Sequence, residues 1–242
     1  MDRMIFLSMA GAKATMQRQD TIANNLANVS TPGFRAAMQA LRPVPVQGSG
    51  GSSARVYALE TTTGYDASPG AITATGRNLD VAAKGNAWLT VQALDGTEAY
   101  TRGGALDVSN DGTLTTRSGL PVMGDGGPLQ VPPNTAVSIG SDGVISAKSA
   151  DGKSSTIGKL KLVTPETALT RGEDGLFRAN SGDLSADDTA RVQDGALEGS
   201  NVNPVEAMVS MISAARQFEA QIKLIQTAEA NEKAASQLLS AN

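Results

Sequence analysis

The chain has 242 residues with 26 Gly, one Trp, three Tyr and four Phe, and it contains neither Cys nor His. That excludes disulfides, thiolate nucleophiles, imidazole acid–base catalysis and most zinc or copper sites. The net charge is −4, with five Lys/Arg against two Asp/Glu in residues 1–42, three against four in 201–242 and twelve against eighteen between, so no dense basic face exists to bind nucleic acid.

No stretch is apolar enough to cross a bilayer. The start, Met1-Asp2-Arg3-Met4, lacks the basic and apolar regions of a cleaved secretory signal. From Ile5 the small or apolar residues Ile5, Met9, Ala12, Met16, Ala23 and Leu26 step by fours and threes, interrupted at Gln19. Such spacing keeps one narrow stripe on a helix and calls for a partner helix. A seam containing Ala and Gln buries little, so neighbouring subunits are expected to add contacts. The helix is expected to stop by Asn28, because Val29-Ser-Thr-Pro32-Gly33 follows. Pro32 and Gly33 are expected to form a turn that sets the direction of the helical arm and carries little stability. Thr31-Pro32 also predicts a short second helix through Leu41, with Pro at its first position.

From Pro43 to about Ser68 the composition is Pro, Gly, Ser and Thr, with Arg55-Val-Tyr-Ala-Leu as a strand-like run and Gly48–Ala54 as a flexible linker. Beyond Gly76, β-type runs at 88–92, 119–123, 135–139, 143–146 and 159–163 alternate with Asp-Gly pairs at 95, 111, 125, 142, 151 and 174. Asp-Gly suits tight hairpin turns, so an antiparallel all-β region is predicted. These aspartates lack the ligand spacing of an EF-hand loop or β-roll, and turn chemistry accounts for them without a metal. Glu60, Glu98, Glu166 and Glu173 stand singly, and the many serines have no His to activate them. No catalytic, cofactor or metal site is predicted.

At the C-terminus Met208, Met211, Ala215, Phe218, Ile222 and Ile225 again step by threes and fours. The segment from Val205 to Leu239 has no Gly or Pro, and would span roughly 50 Å as a helix. The fold class is therefore α+β: a discontinuous, coiled-coil-like helical domain from both termini (1–36 with 200–242), an extended linker (37–75) and an antiparallel all-β central domain (76–199). The β part, from about 76 to 198, is expected to fold on its own.

The run Ile22-Ala-Asn-Asn-Leu-Ala-Asn-Val-Ser-Thr-Pro-Gly-Phe-Arg35 closely resembles the signature of the bacterial flagellar rod, hook and hook-associated protein family. So do Gly76-Arg-Asn-Leu-Asp-Val-Ala-Ala-Lys-Gly85, Tyr100-Thr-Arg-Gly-Gly-Ala-Leu106 and Leu197-Glu-Gly-Ser-Asn-Val-Asn203. Ala87-Trp88-Leu89 and Gly103-Gly104-Ala105 depart from the usual pattern, at positions of β packing. Met1–Phe6, Met9–Ala12 and Asn203-Pro-Val-Glu-Ala207 look most like a proximal-rod member, with distal-rod and hook subunits as alternatives.

The resemblance implies a structural subunit with no cofactor, polymerising through its terminal helices into a hollow shaft that crosses the periplasm. It implies export through the flagellar type III apparatus without a cleaved signal, with further copies and other proximal and distal rod proteins as partners. The expected interface comprises the two stripes together with Asn24, Asn25 and Asn28, which can hydrogen-bond laterally. A secreted β-rich carbohydrate-binding domain on a helical stalk is the reading from another class, and it would need a groove of exposed aromatic residues.

Overall fold

The computed structural model describes residues 2–45, 56–149 and 152–240, so the Gly48–Ala54 linker and Asp151 lie outside the described residues. Contacts divide the chain into two units, one of residues 1–28, 37–65 and 202–242, the other of 29–36 and 66–201. The chain passes between them at 28/29, 36/37, 65/66 and 201/202.

The first unit holds helix α1 (Asp2–Ala27), strands β1 (Ala37–Pro45) and β2 (Val56–Tyr65), and helix α2 (Pro204–Ser240). Helix α1 ends where Val29-Ser-Thr-Pro interrupts helical geometry, and Asn28 closes its last turn by donating its amide and Nδ2 to the Asn24 carbonyl, at 3.2 and 2.9 Å. Helix α2 starts at an Asn-Pro pair. The Asn203 Oδ1 accepts the amides of Val205 and Glu206 at 3.1 and 3.3 Å, and Pro204 occupies the first helical position, where its missing N–H costs nothing. Strands β1 and β2 form an antiparallel ribbon from Ala37 opposite Tyr65 to Pro45 opposite Val56, with a register shift between Met38 and Gln39.

The predicted short helix from Thr31 to Leu41 does not form. The amide hydrogens that would build it are taken by residues distant in sequence or beyond the helix: Gly33 donates to the Glu198 carbonyl at 2.7 Å, Ala36 to Asn201 Oδ1 at 2.7 Å and Ala37 to Asn25 Oδ1 at 2.8 Å. With those donors committed, no i→i−4 ladder can start. The local Pro-cap signal loses to tertiary partners, and residues from Ala37 onward join a strand.

The second unit contains β3 (Ile72–Ala74), β4 (Val81–Ala83), β5 (Trp88–Gln92), β6 (Glu98–Thr101), β7 (Leu106–Val108), β8 (Leu114–Thr116), β9 (Met123–Gly124), β10 (Gly127–Pro128), β11 (Thr135–Ile139), β12 (Val144–Ser149), β13 (Ser154–Lys159), β14 (Leu162–Val163), β15 (Thr170–Arg171), β16 (Phe177–Arg178), β17 (Val192–Asp194) and β18 (Ala196–Glu198). All pairings among them are antiparallel: a five-stranded sheet β14-β5-β6-β16-β15, a three-stranded sheet β11-β12-β13, and the ribbons β3/β18, β4/β17, β7/β8 and β9/β10. Two expected strand runs are divided. Residues 119–123 contribute isolated bridges from Pro121 and Val122 before β9, and 159–163 is shared between β13 and β14. Val81, Leu89, Val91, Leu106, Leu114, Val122, Ile145, Leu160, Leu162 and Val192 meet in one core.

The turns follow the Asp-Gly pairs, in a form other than the two-residue hairpin. Gly96, Gly112, Gly143 and Gly175 sit at φ of 78–84°, each donating its amide three residues back, to Ala93, Ser109, Gly140 and Gly172. The preceding aspartates accept the amide two residues on, from Thr97, Thr113, Val144 and Leu176. Each turn thus pairs an Asx cap with a left-handed Gly. The hydrogen bonds hold Asp95 and Asp111 below the ordinary carboxylate range, led by the Thr97 hydroxyl and the Ser109 hydroxyl respectively.

A buried ion cluster closes this unit. The fully enclosed Glu198 carboxylate meets Arg35 Nη2 at 2.7 Å and Arg102 Nη2 at 2.6 Å, and accepts the Gly70 amide at 2.9 Å. Arg102 also donates to the carbonyls of Gly85 and Ala87. Burial pushes its pKa down, and the neighbouring Arg35 adds to that while Glu198 opposes it. Gly33, at φ 72°, lies against the Arg102–Gly103 backbone, where a Cβ would collide with the Arg102 carbonyl and the Gly103 amide. Its turn is therefore packed into the β unit, where it contributes to stability, contrary to the expectation that it contributes little.

Two outcomes follow for the folded chain. Glu198→Ala strands two guanidinium groups in the interior and is expected to cost roughly 3–5 kcal/mol; denaturant unfolding of the β unit measures it, and an unchanged midpoint would contradict the cluster's role. Gly33→Ala is expected to lower the same midpoint by more than the ~1–2 kcal/mol of left-handed strain alone, because the Arg102–Gly103 backbone must also move.

Candidate functional site

Helices α1 and α2 pack along one another, and the covered positions on each repeat in alternating threes and fours. On α1 the central row is Ile5, Ser8, Ala12, Thr15, Gln19, Ile22 and Leu26, flanked by the half-buried Ala10, Gly11, Ala14, Thr21 and Asn25; on α2 it is Ala207, Met211, Ala214, Phe218, Gln221, Ile225 and Ala228, flanked by Ser210, Ala215 and Ile222. Gly11 lets the helices close up: a Cβ there would stand 3.1 Å from the Gln221 side-chain amide, inside ordinary contact. Thr15 turns its hydroxyl back to the Gly11 carbonyl at 2.8 Å, which removes a donor from the seam.

The predicted stripes divide between this covered row and the one beside it. Ile5, Ala12 and Leu26 on α1, and Met211, Ala215, Phe218, Ile222 and Ile225 on α2, are buried or half-buried; Met9, Met16, Ala23 and Met208 are exposed. Met9, Met16 and Ala23 each lie one residue beyond the covered Ser8, Thr15 and Ile22, about 100° around the helix. The small-or-apolar spacing falls partly on this row because the covered Ser8, Thr15 and Gln19 are polar. Phe6, Leu7, Val205, Val209, Ile212 and Leu224 are also exposed. A groove on α2 is lined by Val209, Ile212, Ser213, Arg216, Gln217 and Ala220.

Of the asparagines, Asn24 is exposed and Asn25 and Asn28 are half-buried. Asn25 clasps Ala37 from both sides, accepting its amide at 2.8 Å and donating Nδ2 to its carbonyl at 3.0 Å. That bond turns one asparagine inward to the ribbon. In the β unit, Asn201 performs a similar task with a wider reach. Its Oδ1 accepts from Ala36, its Nδ2 donates to the carbonyls of Asp66 and Ser68 at 3.0 Å, and its amide donates to Phe34 at 3.3 Å. Pro32 is half-buried, and Arg171 stacks its guanidinium 4.5 Å from the Phe34 ring while donating to the Arg35 carbonyl at 3.1 Å.

Arg35, Arg102, Glu198, Asn201 and Asn203 were not among the predicted site residues. Two of them carried a local signal: Asn203-Pro204 reads as a helix cap, and a lone Glu198 between Leu and Gly in a β run is an anion in need of a partner. In the β unit the aromatic side chains Trp88, Tyr100, Phe34 and Phe177 are buried, with Trp88 and Phe177 at 4.7 Å between ring centroids, so they offer no carbohydrate platform there. Among the described residues no helix is long and apolar enough to cross a membrane.

Three family descriptions match the chain: the flagellar basal body rod protein at residues 7–35, the flagellar hook protein FlgE/F/G D1 domain at 82–147 and the flagellar basal body rod FlgEFG protein C-terminal region at 193–238. They cover Asn25 with Arg35, the strand core with Arg102, and Glu198 with α2. The chain is 45% identical over 251 residues to the flagellar basal-body rod protein FlgF of Salmonella typhimurium, covering 99% of each. It is 44% identical to the FlgF of Escherichia coli, again over 99% of each. The FlgG rod protein of Bacillus subtilis is 33% identical, with 94% of this chain and 95% of that one aligned. The likeness runs end to end and takes in both helices and the buried cluster, so the chain belongs to the flagellar basal-body rod protein family and is most like FlgF.

Proposed function

We infer that this chain is a structural subunit of the proximal part of the flagellar basal-body rod, polymerising through its terminal helices with further copies and with other rod proteins. One observation carries the reading beyond family membership. Each helix presents a covered row toward its partner and, beside it, an uncovered row of large apolar side chains, Met9 and Met16 on α1 and Val205, Met208, Val209 and Ile212 on α2. A monomer gains nothing from exposing that much apolar surface, whereas a subunit enclosed by others buries it.

The proposed interface combines Ile5, Met9, Ala12, Met16, Ala23, Asn24, Asn25, Leu26 and Asn28 with Met208, Met211, Ala215, Phe218, Ile222 and Ile225. The covered members hold the helix pair and the exposed ones meet neighbours, in coiled-coil-like packing. A shaft subunit needs stiffness and a fixed geometry, so no catalysis is assigned to it. Passage through the flagellar export apparatus without a cleaved signal, to a rod crossing the periplasm, suits a chain with no cysteine, because no covalent cross-link must break before it unfolds.

Paired substitutions test the division of labour between the two rows. Met16→Asp is expected to leave the thermal midpoint and helix content of the monomer unchanged and to remove the protein from isolated basal bodies, because the carboxylate stays hydrated until a neighbour would cover it. Ile222→Asp is expected to disrupt both helix pairing and assembly. Motile cells carrying Met16→Asp at native expression would refute the interface.

The polar members of the covered seam, Ser8, Thr15, Gln19 and Gln221, imply weak pairing of the helices in the free chain. At low concentration the amides of α1 and α2 are expected to exchange on the order of 100-fold faster than those of β5 and β6. Equal protection in both units would show that the helix pair needs no neighbours.

A further inference from the structure

Four methionines, Met9, Met16, Met38 and Met208, have more than half of their area in solvent, at 53, 51, 51 and 52% exposure. Met9 and Met16 lie one heptad apart on the uncovered row of α1, and Met208 lies on the uncovered face at the start of α2. Met211, three residues further along α2, is half-buried in the seam, and Met123 is half-buried in the β unit. Thioether sulfur is the softest and most readily oxidised group in a chain without cysteine.

We propose that Met9, Met16 and Met208 are separate peroxide-sensitive modification sites whose oxidation controls whether the helix pair can be incorporated into an assembly. The proposal rests on the reading of these rows as subunit contacts. In the step itself the thioether sulfur attacks one peroxide oxygen, the O–O bond breaks, and a sulfoxide and water result; sulfur is oxidised by two electrons and hydrogen peroxide is reduced. The product replaces an apolar, deformable contact by a strongly accepting S=O group. Buried against an apolar neighbour, that oxygen would lose its water without gaining a donor. Oxidation therefore acts before assembly, while the sulfur atoms are exposed, and an assembled subunit is protected by its neighbours. Because the β unit contributes none of the three sulfur atoms, its stability is unaffected.

The test begins with the full-length monomer under dilute hydrogen peroxide, followed by peptide mass spectrometry and unfolding. Met9, Met16, Met38 and Met208 are expected to gain one oxygen at least about fivefold faster than Met211 and Met123, with the β-unit midpoint unchanged. Uniform rates across all six would overturn the sites. The same treatment of isolated basal bodies is expected to leave Met9, Met16 and Met208 reduced, and their oxidation at the monomer rate would overturn the protection.

Cells assembling flagella under sublethal peroxide supply the functional arm. Peroxide is expected to lower wild-type incorporation roughly tenfold from its own untreated level and that of M9L/M16L/M208L by no more than about twofold from its own untreated level, with Met38 present in both as an oxidisable control. An equal proportional fall in both would overturn the proposal, and where the triple variant assembles too little to measure, M9L, M16L and M208L are compared singly in the same way. Absence of the untreated wild-type chain from basal bodies would instead overturn the rod reading on which it rests.

Discussion

A single carboxylate organises the points at which the chain enters and leaves the β unit. Glu198 binds Arg35, eight residues after α1 ends at Ala27, and Arg102 from the loop after β6, while the oxygen that meets Arg35 also accepts the Gly70 amide. Its own carbonyl holds the Gly33 amide. Two guanidinium groups around one anion leave an excess of buried positive charge, tolerated because Arg102 also spreads its donors over the carbonyls of Gly85 and Ala87 and Arg35 over that of Ser68. A buried pair of this kind is weak evidence for net stability but a strong constraint on geometry, since any other placement leaves a charge unpaired.

The same constraint explains why two stretches of sequence bear glycine and asparagine at fixed places. In 22–35, Asn25 clasps Ala37, Asn28 closes α1, Gly33 supplies a left-handed turn against a backbone that admits no Cβ, and Arg35 enters the cluster. In 197–203, Glu198 is the anion, Gly199 donates to the Ala71 carbonyl at 2.8 Å, Asn201 ties three segments together and Asn203 caps α2. Neither stretch is a binding site in the enzymatic sense. Their residues hold loop backbone that no sheet or helix would otherwise satisfy.

The helices follow a different economy. Their covered seam mixes Ile, Leu, Met and Phe with small and polar residues such as Ser8, Ala12, Thr15, Gln19 and Gln221, which allows close approach and limits the apolar area buried, while further large apolar side chains, among them Met9, Met16, Met208 and Val209, are left outward. For a protein designed to persist as a monomer that distribution is unfavourable; for a subunit it transfers part of the folding energy to the assembly. Strength in the β unit and dependence in the helix pair can thus coexist in one chain.

Much of this was legible in the residues themselves. Helix spans followed from Gly- and Pro-free apolar spacing, turns from Asp-Gly pairs, and family from three ordered motifs, because each depends on chemistry within a few residues. What could not be read were choices made between distant segments. The row of α1 that is covered was hidden because Ser8 and Thr15 look like surface residues until α2 is placed against them. The ribbon β1–β2 displaced a plausible short helix because its amides and those just before it found acceptors at Asn25, Glu198 and Asn201. Glu198 signalled at most the need for a partner and not which one, Arg102 being 96 residues away. Local dihedral preference and periodicity act through neighbours in the chain and so survive in any context, whereas the pairing of a buried charge or the facing of a helix is decided by which surfaces the fold brings together.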